Sequence, residues 1–421
     1  MKCYDLAVIG GGFAGTAAAI SAARTGLSVL LIEKSNSLGG AATVNLVNPF
    51  MPNRTKLKQN NVNEYFALSQ GLFTEITDKL LGKFTLAKFP FHAFNEEYLK
   101  LILNRMVIEA GVDMLFHSYL IGAKAHDNKL TSVSIANKSG ILDVKADYFI
   151  DATGDGDLAV LAGFPYRLGR DKDNLCQPMT LCFRLINVDT EKFEKMRSTI
   201  NELYHKFQAQ GKIKNPREDV LIFRGALSNT LHFNSTRIVK RNPMDVFDLT
   251  KAEIEAREQV FELFKFLKEN IDGFQNADLA FTASEIGVRE SRMIDGEYLL
   301  TERDLVECRV FADSIALGNY DIDIHNPEGS GTSHYYFPDG QYYTIPYRCL
   351  IPKSSQNLLV AGRCISVTHE AQASIRIMPI VCCLGEAAGT AASIAKRDNV
   401  NVRDVDVKKL QEELKKHGAV L

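Results

Sequence analysis

The hydrophobic pattern changes period several times along the chain, and each change predicts an element. Leu6-Ala-Val-Ile9 and Val29-Leu-Leu-Ile32 are short unbroken apolar runs, the pattern of strands buried on both faces. The small residues of 16–26 between them predict a closely packed helix. Residues 45–60, with Pro49 and Pro52, read as irregular, and the apolar spacing from 63 to 81 predicts a helix. Asn95, followed by Glu96 and Glu97, is the expected N-cap of another helix ending near Ala110. From 112 the period drops to two. Runs at 112–117, 120–125, 130–136 and 141–144, with turn signals at His126-Asp-Asn and Asn137-Lys-Ser-Gly140, predict one parallel strand and then a small antiparallel meander. Residues 146–151 read as a further buried strand, with a short helix at 158–163.

Residues 165–345 differ in character. They hold charged amphipathic helical stretches near 190–210 and 250–269 and strand-like runs such as 179–185. After them the first architecture returns. A short buried strand closes in Gly362-Arg363, and 379–395 predicts a helix whose Gly385, Ala388, Gly389 and Ala392 suit close approach to a neighbour. The expected fold is α/β. A discontinuous Rossmann-like domain (1–164 and 346–421) combines a parallel sheet with the meander, and an inserted α+β domain (165–345) caps it.

The 421 residues suffice for two or three domains of roughly 150 residues each. A net charge of −2 gives no electrostatic case for nucleic acid or an anionic membrane. No stretch approaches ~18 uninterrupted apolar residues, so no membrane span is expected. The first strand begins at once, which leaves no room for a signal peptide. Cys3, Cys176, Cys182, Cys308, Cys349, Cys364, Cys382 and Cys383 form no Cys-x-x-Cys pair, so reduced thiols in a cytoplasmic protein are expected. Their scatter excludes a catalytic disulfide soon after the second strand and iron–sulfur spacing, and the histidines show no metal-ligand spacing.

The chemistry concentrates at the amino-terminal end. Gly10-Gly-Gly12-Phe-Ala-Gly15 follows the first strand and opens the helix, and Glu33 ends the second strand. Gly10 permits the tight turn, Gly12 lets backbone approach a pyrophosphate, and Gly15 lets helix and strand touch. The helix N-terminus offers N–H groups to phosphates, and Glu33 can accept from ribose hydroxyls. Only one such fingerprint is visible, so a separate NAD(P)H domain is not expected.

These residues, with Gly39-Gly40, Asp151-Ala-Thr-Gly154-Asp-Gly-Asp157, Gly287-Val-Arg289-Glu290-Ser-Arg292, Gly296-Glu-Tyr298-Leu-Leu-Thr301, Ile345-Pro-Tyr347-Arg348, Val360-Ala-Gly362-Arg363 and Gly385-Glu-Ala-Ala-Gly389, resemble the FAD-dependent oxidoreductases of glutathione-reductase-like fold. More narrowly, the chain resembles a family of that name common in bacterial genomes and distantly similar to fumarate reductase flavoproteins. The resemblance implies noncovalent FAD. Gly10, Gly12, Phe13, Ala14 and Gly15 would cradle its pyrophosphate, and Glu33 and Lys34 would meet the adenosine ribose. Gly40 and Ala41 would follow the phosphates, and backbone near Tyr119 or Leu120 would meet adenine. Ala152, Thr153 and Gly154 would pass the adenosine half, and Gly362 and Arg363 the ribityl chain. Met378 and Pro379 would bring a helix N-terminus to the flavin, favouring negative charge there.

Among side chains near these motifs, His369 is the candidate acid/base and Arg376 a candidate carboxylate clamp, with an ion pair to Glu370 as its alternative. Arg289 and Arg292 suit an anionic substrate, or a salt-bridge network with Glu290 and Asp295. Tyr347 and Arg348 are candidates for the same cavity, and His334 for a lid loop. Asp155 and Asp157 read as a turn and helix start. The expected activity is hydride transfer between FAD and a small organic substrate, with a carboxylate in view, and an unidentified diffusible or protein electron acceptor. A flavin monooxygenase, or a non-catalytic flavoprotein with structural FAD, are the alternatives. Substrate identity and oligomeric state are not legible.

Overall fold

In the computed structural model, residues 3–59, 62–80, 93–225 and 227–421 are described. The main sheet is built outward from the strand Cys3–Ile9. It pairs in parallel with Val29–Ile32 on one side and with Gly140–Asp151 on the other. Val29–Ile32 pairs in parallel with Asp113–Leu115, and Leu358–Val360 adds to Gly140–Asp151 through Leu358 opposite Phe149 and Val360 opposite Asp151. A strand more than 200 residues downstream thus joins the amino-terminal sheet.

Gly140–Asp151 is one continuous strand, not the two expected from the sequence. Its first half pairs antiparallel with Lys129–Asn137, which pairs with Tyr119–His126. Its second half is sandwiched between parallel neighbours. That dual role explains the pattern: residues 141–145 sit on an edge ribbon and are largely exposed, whereas Phe149, Ile150 and Asp151 are fully buried.

The helices Phe13–Arg24 and Met378–Asp398 cross with their backbones in contact. A Cβ at Gly385 would lie 2.0 Å from the Ala14 carbonyl oxygen, and one at Gly389 2.2 Å from that of Ala18. Only glycine fits at such distances. The helix Met378–Asp398 is long and apolar enough to cross a bilayer by composition, but its apolar window is wholly enclosed by protein.

A second core is separate from the first. Ile222–Arg224, Leu231–Phe233, Phe183–Ile186 and Asp278–Thr282 form an antiparallel sheet in that order. The helices Thr190–Ala209 and Val246–Asn270, capped by the Asp189 and Asp245 carboxylates, contribute Phe193, Tyr204, Leu263 and Phe266 to the same core. Phe183 and Phe233 stack across two strands at 4.7 Å.

Two stretches depart from the periodicity reading. Residues 54–59, expected to be irregular, and 62–67, expected to begin a helix, pair as a hairpin of Arg54–Gln59 with Val62–Ala67. The helix starts only at Leu72, where Gly71 turns at φ +67. The run 179–185 is a strand only over Phe183–Ile186, with Met179 and Thr180 making single bridges to Ile238 and Gly287. Position 81, where the expected helix ends, lies outside the described residues.

Candidate active site

The first strand ends at Gly10, whose φ of +100 and contact with the Ala152 carbonyl exclude a side chain: a Cβ would lie 2.3 Å from that oxygen. A Cβ on Gly15 would fall 1.7 Å from the Gly10 carbonyl oxygen, so helix and turn touch. Gly12 instead faces open space, with only the Gly40 Cα at 4.0 Å. No side chain caps the helix that follows. Its N–H groups and positive dipole end therefore face a backbone-lined gap, the arrangement that accepts a pyrophosphate. The residues present fit a dinucleotide.

Glu33 is buried beside this turn. Gly11 N donates to one of its oxygens at 2.5 Å and Ser35 N to the other at 2.7 Å. Its carbonyl accepts from Ser118 N at 3.1 Å, bringing the backbone entering Tyr119 and Leu120 beside the carboxylate. Lys34 turns away and pairs with Glu285 at 3.1 Å. Gly40 and Ala41 open a short 3-10 turn, and Gly39 N donates to Gly11 O at 2.8 Å, which ties this loop to the glycine turn.

The Asp151 loop is organised by one buried carboxylate. It accepts from Thr153 N at 3.0 Å, Thr153 Oγ1 at 2.7 Å and Ala159 N at 2.9 Å. Burial pushes its pKa to about 6 against those hydrogen bonds. Arg363 lies over Gly154, where a Cβ would meet its guanidinium at 2.4 Å, and donates to Asp155 at 2.5 Å. Asp155 also accepts from Ser291 Oγ at 2.6 Å. Asp157 starts the short helix, as expected, but both acids also hold partners from distant segments.

A second polar group forms where the segments around 177, 217, 237, 289 and 323 meet the helix His369–Ile375. His369 Nδ1 lies 2.7 Å from Glu290 Oε1, and both side chains are buried. The other Glu290 oxygen accepts from Gln177 N at 2.7 Å. Burial disfavours the imidazolium, but the Glu290 hydrogen bond and the charges of Glu290 and Glu370 outweigh it, so the His369 pKa is raised. The Gln177 side chain reaches Gln372 at 3.2 Å, and Gln372 donates to the Arg289 carbonyl at 3.0 Å. His369 and Arg289 are thus joined through one network.

Arg289 donates to Pro178 O and to Thr180 Oγ1. Burial and the neighbouring cations Arg376, Arg217 and Arg237 push its pKa down to about 9, against the pull of Asp323. Arg376 sits just before the helix Met378–Asp398 and faces Asp323, 3.7 Å from its carboxylate, rather than Glu370. Arg237 NH2 points at His325 Nδ1 from 2.9 Å and Arg217 NH1 from 3.4 Å. Two guanidinium donors aimed at one ring nitrogen require a lone pair there, so His325 is neutral with its proton on Nε2, which faces Asp323 at 3.3 Å. Burial and the arginines hold its pKa well below the ordinary value. Arg217, Arg237 and Arg376 each keep a buried Nε–H without a hydrogen-bond partner, although Arg217 Nε lies 3.9 Å from a Glu218 oxygen.

The structure separates other candidates. Arg292 donates to Asp157 and to Asp155 O at 2.8 Å and shares no partner with Arg289, because Arg292 opens a strand while Arg289 lies in coil before it. The expected Asp295 partner belongs instead to Arg167, at 2.9 Å. Tyr347 is buried and donates to Val402 O at 2.8 Å. Arg348 pairs with Asp313 at 2.8 Å, so neither lines this group. His334 lies on the exposed strand Thr332–Tyr335, bonded to Asp321 at 2.6 Å. Gln177, Arg217, Arg237, Asp323, His325 and Gln372 escaped the sequence reading. One signal was present: Asp321, Asp323 and His325 alternate with apolar residues, which places them on one face of a strand.

A parallel sheet, a side-chain-free turn feeding a helix N-terminus and an acid at the end of the second strand define the class of dinucleotide-binding proteins. The chain belongs to the FAD dependent oxidoreductase family, whose model matches residues 5–414. It is an enzyme and a flavoprotein, with FAD as its cofactor. Among curated proteins no sequence match is found. Among solved structures, the chain is similar to p-nitrophenol 4-monooxygenase PnpA from Pseudomonas putida DLL-E4 (9% identity, 99% of this chain, 87% of that chain, TM-score 0.48). It is also similar to a geranylgeranyl bacteriochlorophyll reductase-like protein from Thermoplasma acidophilum (14% identity, 99% and 83%, TM-score 0.47) and to the myxobacterial chondrochloren halogenase CndH (14% identity, 99% and 79%, TM-score 0.45).

Proposed function

We propose that the enzyme exchanges a hydride equivalent between a small organic anion and noncovalently held FAD. The observation that carries this reading is the convergence of Arg217, Arg237, Arg289 and Arg376 around His325 and Asp323, beside the His369–Glu290 pair. Buried guanidiniums with unpartnered Nε–H groups call for an anion. In this reading FAD rests on Gly10, Gly12, Phe13, Ala14 and Gly15, with Glu33 at the ribose. Ala152, Thr153, Gly154, Gly362 and Arg363 flank its middle, and Met378 and Pro379 lie at the flavin. Residues 1–164 and 346–421 form one FAD-holding unit of glutathione-reductase type, supported by the shared sheet, and 165–345 supplies most of the substrate side.

Bound FAD supplies the two-electron redox chemistry. Arg376 and Arg289 bind and orient the anion. His369 holds or moves a proton at Nε2, because Glu290 engages Nδ1 and fixes the tautomer. Arg237 is held by Gly329 O, Gly331 O and Glu218, so it anchors the 326–331 turn and supplies field rather than direct contact.

The test is a panel of organic anions and neutral isosteres, read by perturbation or bleaching of the flavin absorbance. Anions are expected to act, and Arg376→Gln to weaken them about 10- to 100-fold, the loss of one charge-assisted hydrogen bond, with FAD content unchanged. Neutral isosteres acting equally well would refute the anion site. Flavin that stays on the polypeptide after acid precipitation would refute noncovalent attachment.

A further inference from the structure

The helix Val246–Asn270 buries one face in the second core, through Ala252, Ala256, Gln259, Val260, Leu263 and Phe266. Its opposite face is not polar. Phe247, Ile254 and Phe261 are 74%, 61% and 60% exposed. They recur every seven residues, so they form one stripe with steps of about 10 Å along the axis. Singly exposed apolar residues are ordinary, whereas three large ones aligned on one helix mark a contact surface.

The charges beside the stripe identify what covers it. Lys251, Glu258 and Lys265 follow the same seven-residue spacing along one flank, with alternating sign. Among the described residues Lys251 and Glu258 have no ion-pair partner, whereas Arg257 on the other flank is held by Glu253 at 2.9 Å. The pattern is self-complementary under a two-fold axis through Ile254. Two antiparallel copies then place Phe247 on Phe261, Ile254 on Ile254, and each Lys251 within a turn of the other copy's Glu258. An anionic bilayer would select one sign of charge, and the whole helix carries six acidic against four basic side chains. We infer that this face is an isologous dimer interface with a second copy of this chain, made by antiparallel pairing of the helix Val246–Asn270 about Ile254.

Sedimentation equilibrium of the FAD-loaded full chain over a concentration series tests it. The wild type is expected to approach twice the chain mass, and Ile254→Glu, which sets two carboxylates on the axis, to raise the dissociation constant by about a hundredfold. Lys251→Glu and Glu258→Lys should each weaken the dimer, and the double exchange should restore it. FAD content and melting temperature verify that each variant is folded, and the two surface-charge variants carry the test if Ile254→Glu does not fold. A monomeric wild type, a dimer indifferent to these changes, or a monomer whose only stripe-dependent binding is to anionic vesicles would overturn the inference.

Discussion

Glu290→Gln is the most informative single change at the candidate site. Glu290 accepts two hydrogen bonds with two oxygens, one from His369 Nδ1 and one from Gln177 N, each at 2.7 Å. Glutamine keeps the shape but has one acceptor, so it can serve only one donor, and its amide must face the other. Replacing a charge-assisted bond by a neutral one costs about 1 kcal/mol, and while His369 is protonated a buried donor facing a donor costs about 1–3 kcal/mol more; the neutral Nε2–H tautomer accepts from the amide and removes that second part. The expected destabilisation is therefore roughly 2–4 kcal/mol. Part of it depends on pH, and the sign is fixed. His369 has a raised folded pKa, so its stabilisation is fully present below the ordinary histidine value and is lost as pH rises through the folded one. Wild type and variant should differ most in mildly acidic solution and converge partly at alkaline pH. Denaturant unfolding across pH measures this, and side-chain NMR of histidine, assigned with His369→Asn, should show His369 titrating lower in Glu290→Gln. A stability difference that does not change with pH, with an unmoved His369 titration, would refute the pairing.

Gly15→Ala should prevent both stable folding and FAD retention, since its Cβ falls 1.7 Å from Gly10 O. Gly12→Ala should fold normally yet lose FAD, since its Cβ meets only Gly40 Cα at 4.0 Å; flavin absorbance per chain and melting temperature separate the two outcomes. Glu386, buried on the helix Met378–Asp398 and accepting from Leu72 N at 3.1 Å, is pushed up from 4.5 to about 7 by burial. Its folded form binds a proton more tightly than the unfolded chain does, so stability falls as pH rises through that window. Glu386→Gln should flatten the fall, gaining up to about 3 kcal/mol over wild type near pH 8 and little near pH 5, as read by thermal unfolding.

Local chemistry made the nucleotide cradle legible in the sequence. Glycines 10, 12 and 15, the two apolar strands and Glu33 lie within 33 residues, and backbone sterics alone assign their roles. Gly385 and Gly389 likewise announced a close helix contact, although not that Ala14 and Ala18 would be the partners. Periodicity failed at 54–67, where no local rule separates a short hairpin from a loop leading into a helix. It also split Gly140–Asp151, because one strand changes neighbours midway and its burial pattern changes with them.

The polar centre was beyond the sequence for a different reason. Arg217, Arg237, Arg289, Asp323, His325 and Arg376 span about 160 positions, and a guanidinium looks the same in sequence whether it is solvated or buried. Chain order fixed the side chains available, and only tertiary packing decided which charges lose their water together. Arg292 and Arg348 were drawn off to Asp157 and Asp313, while Arg289 and Arg376 were left facing Asp323.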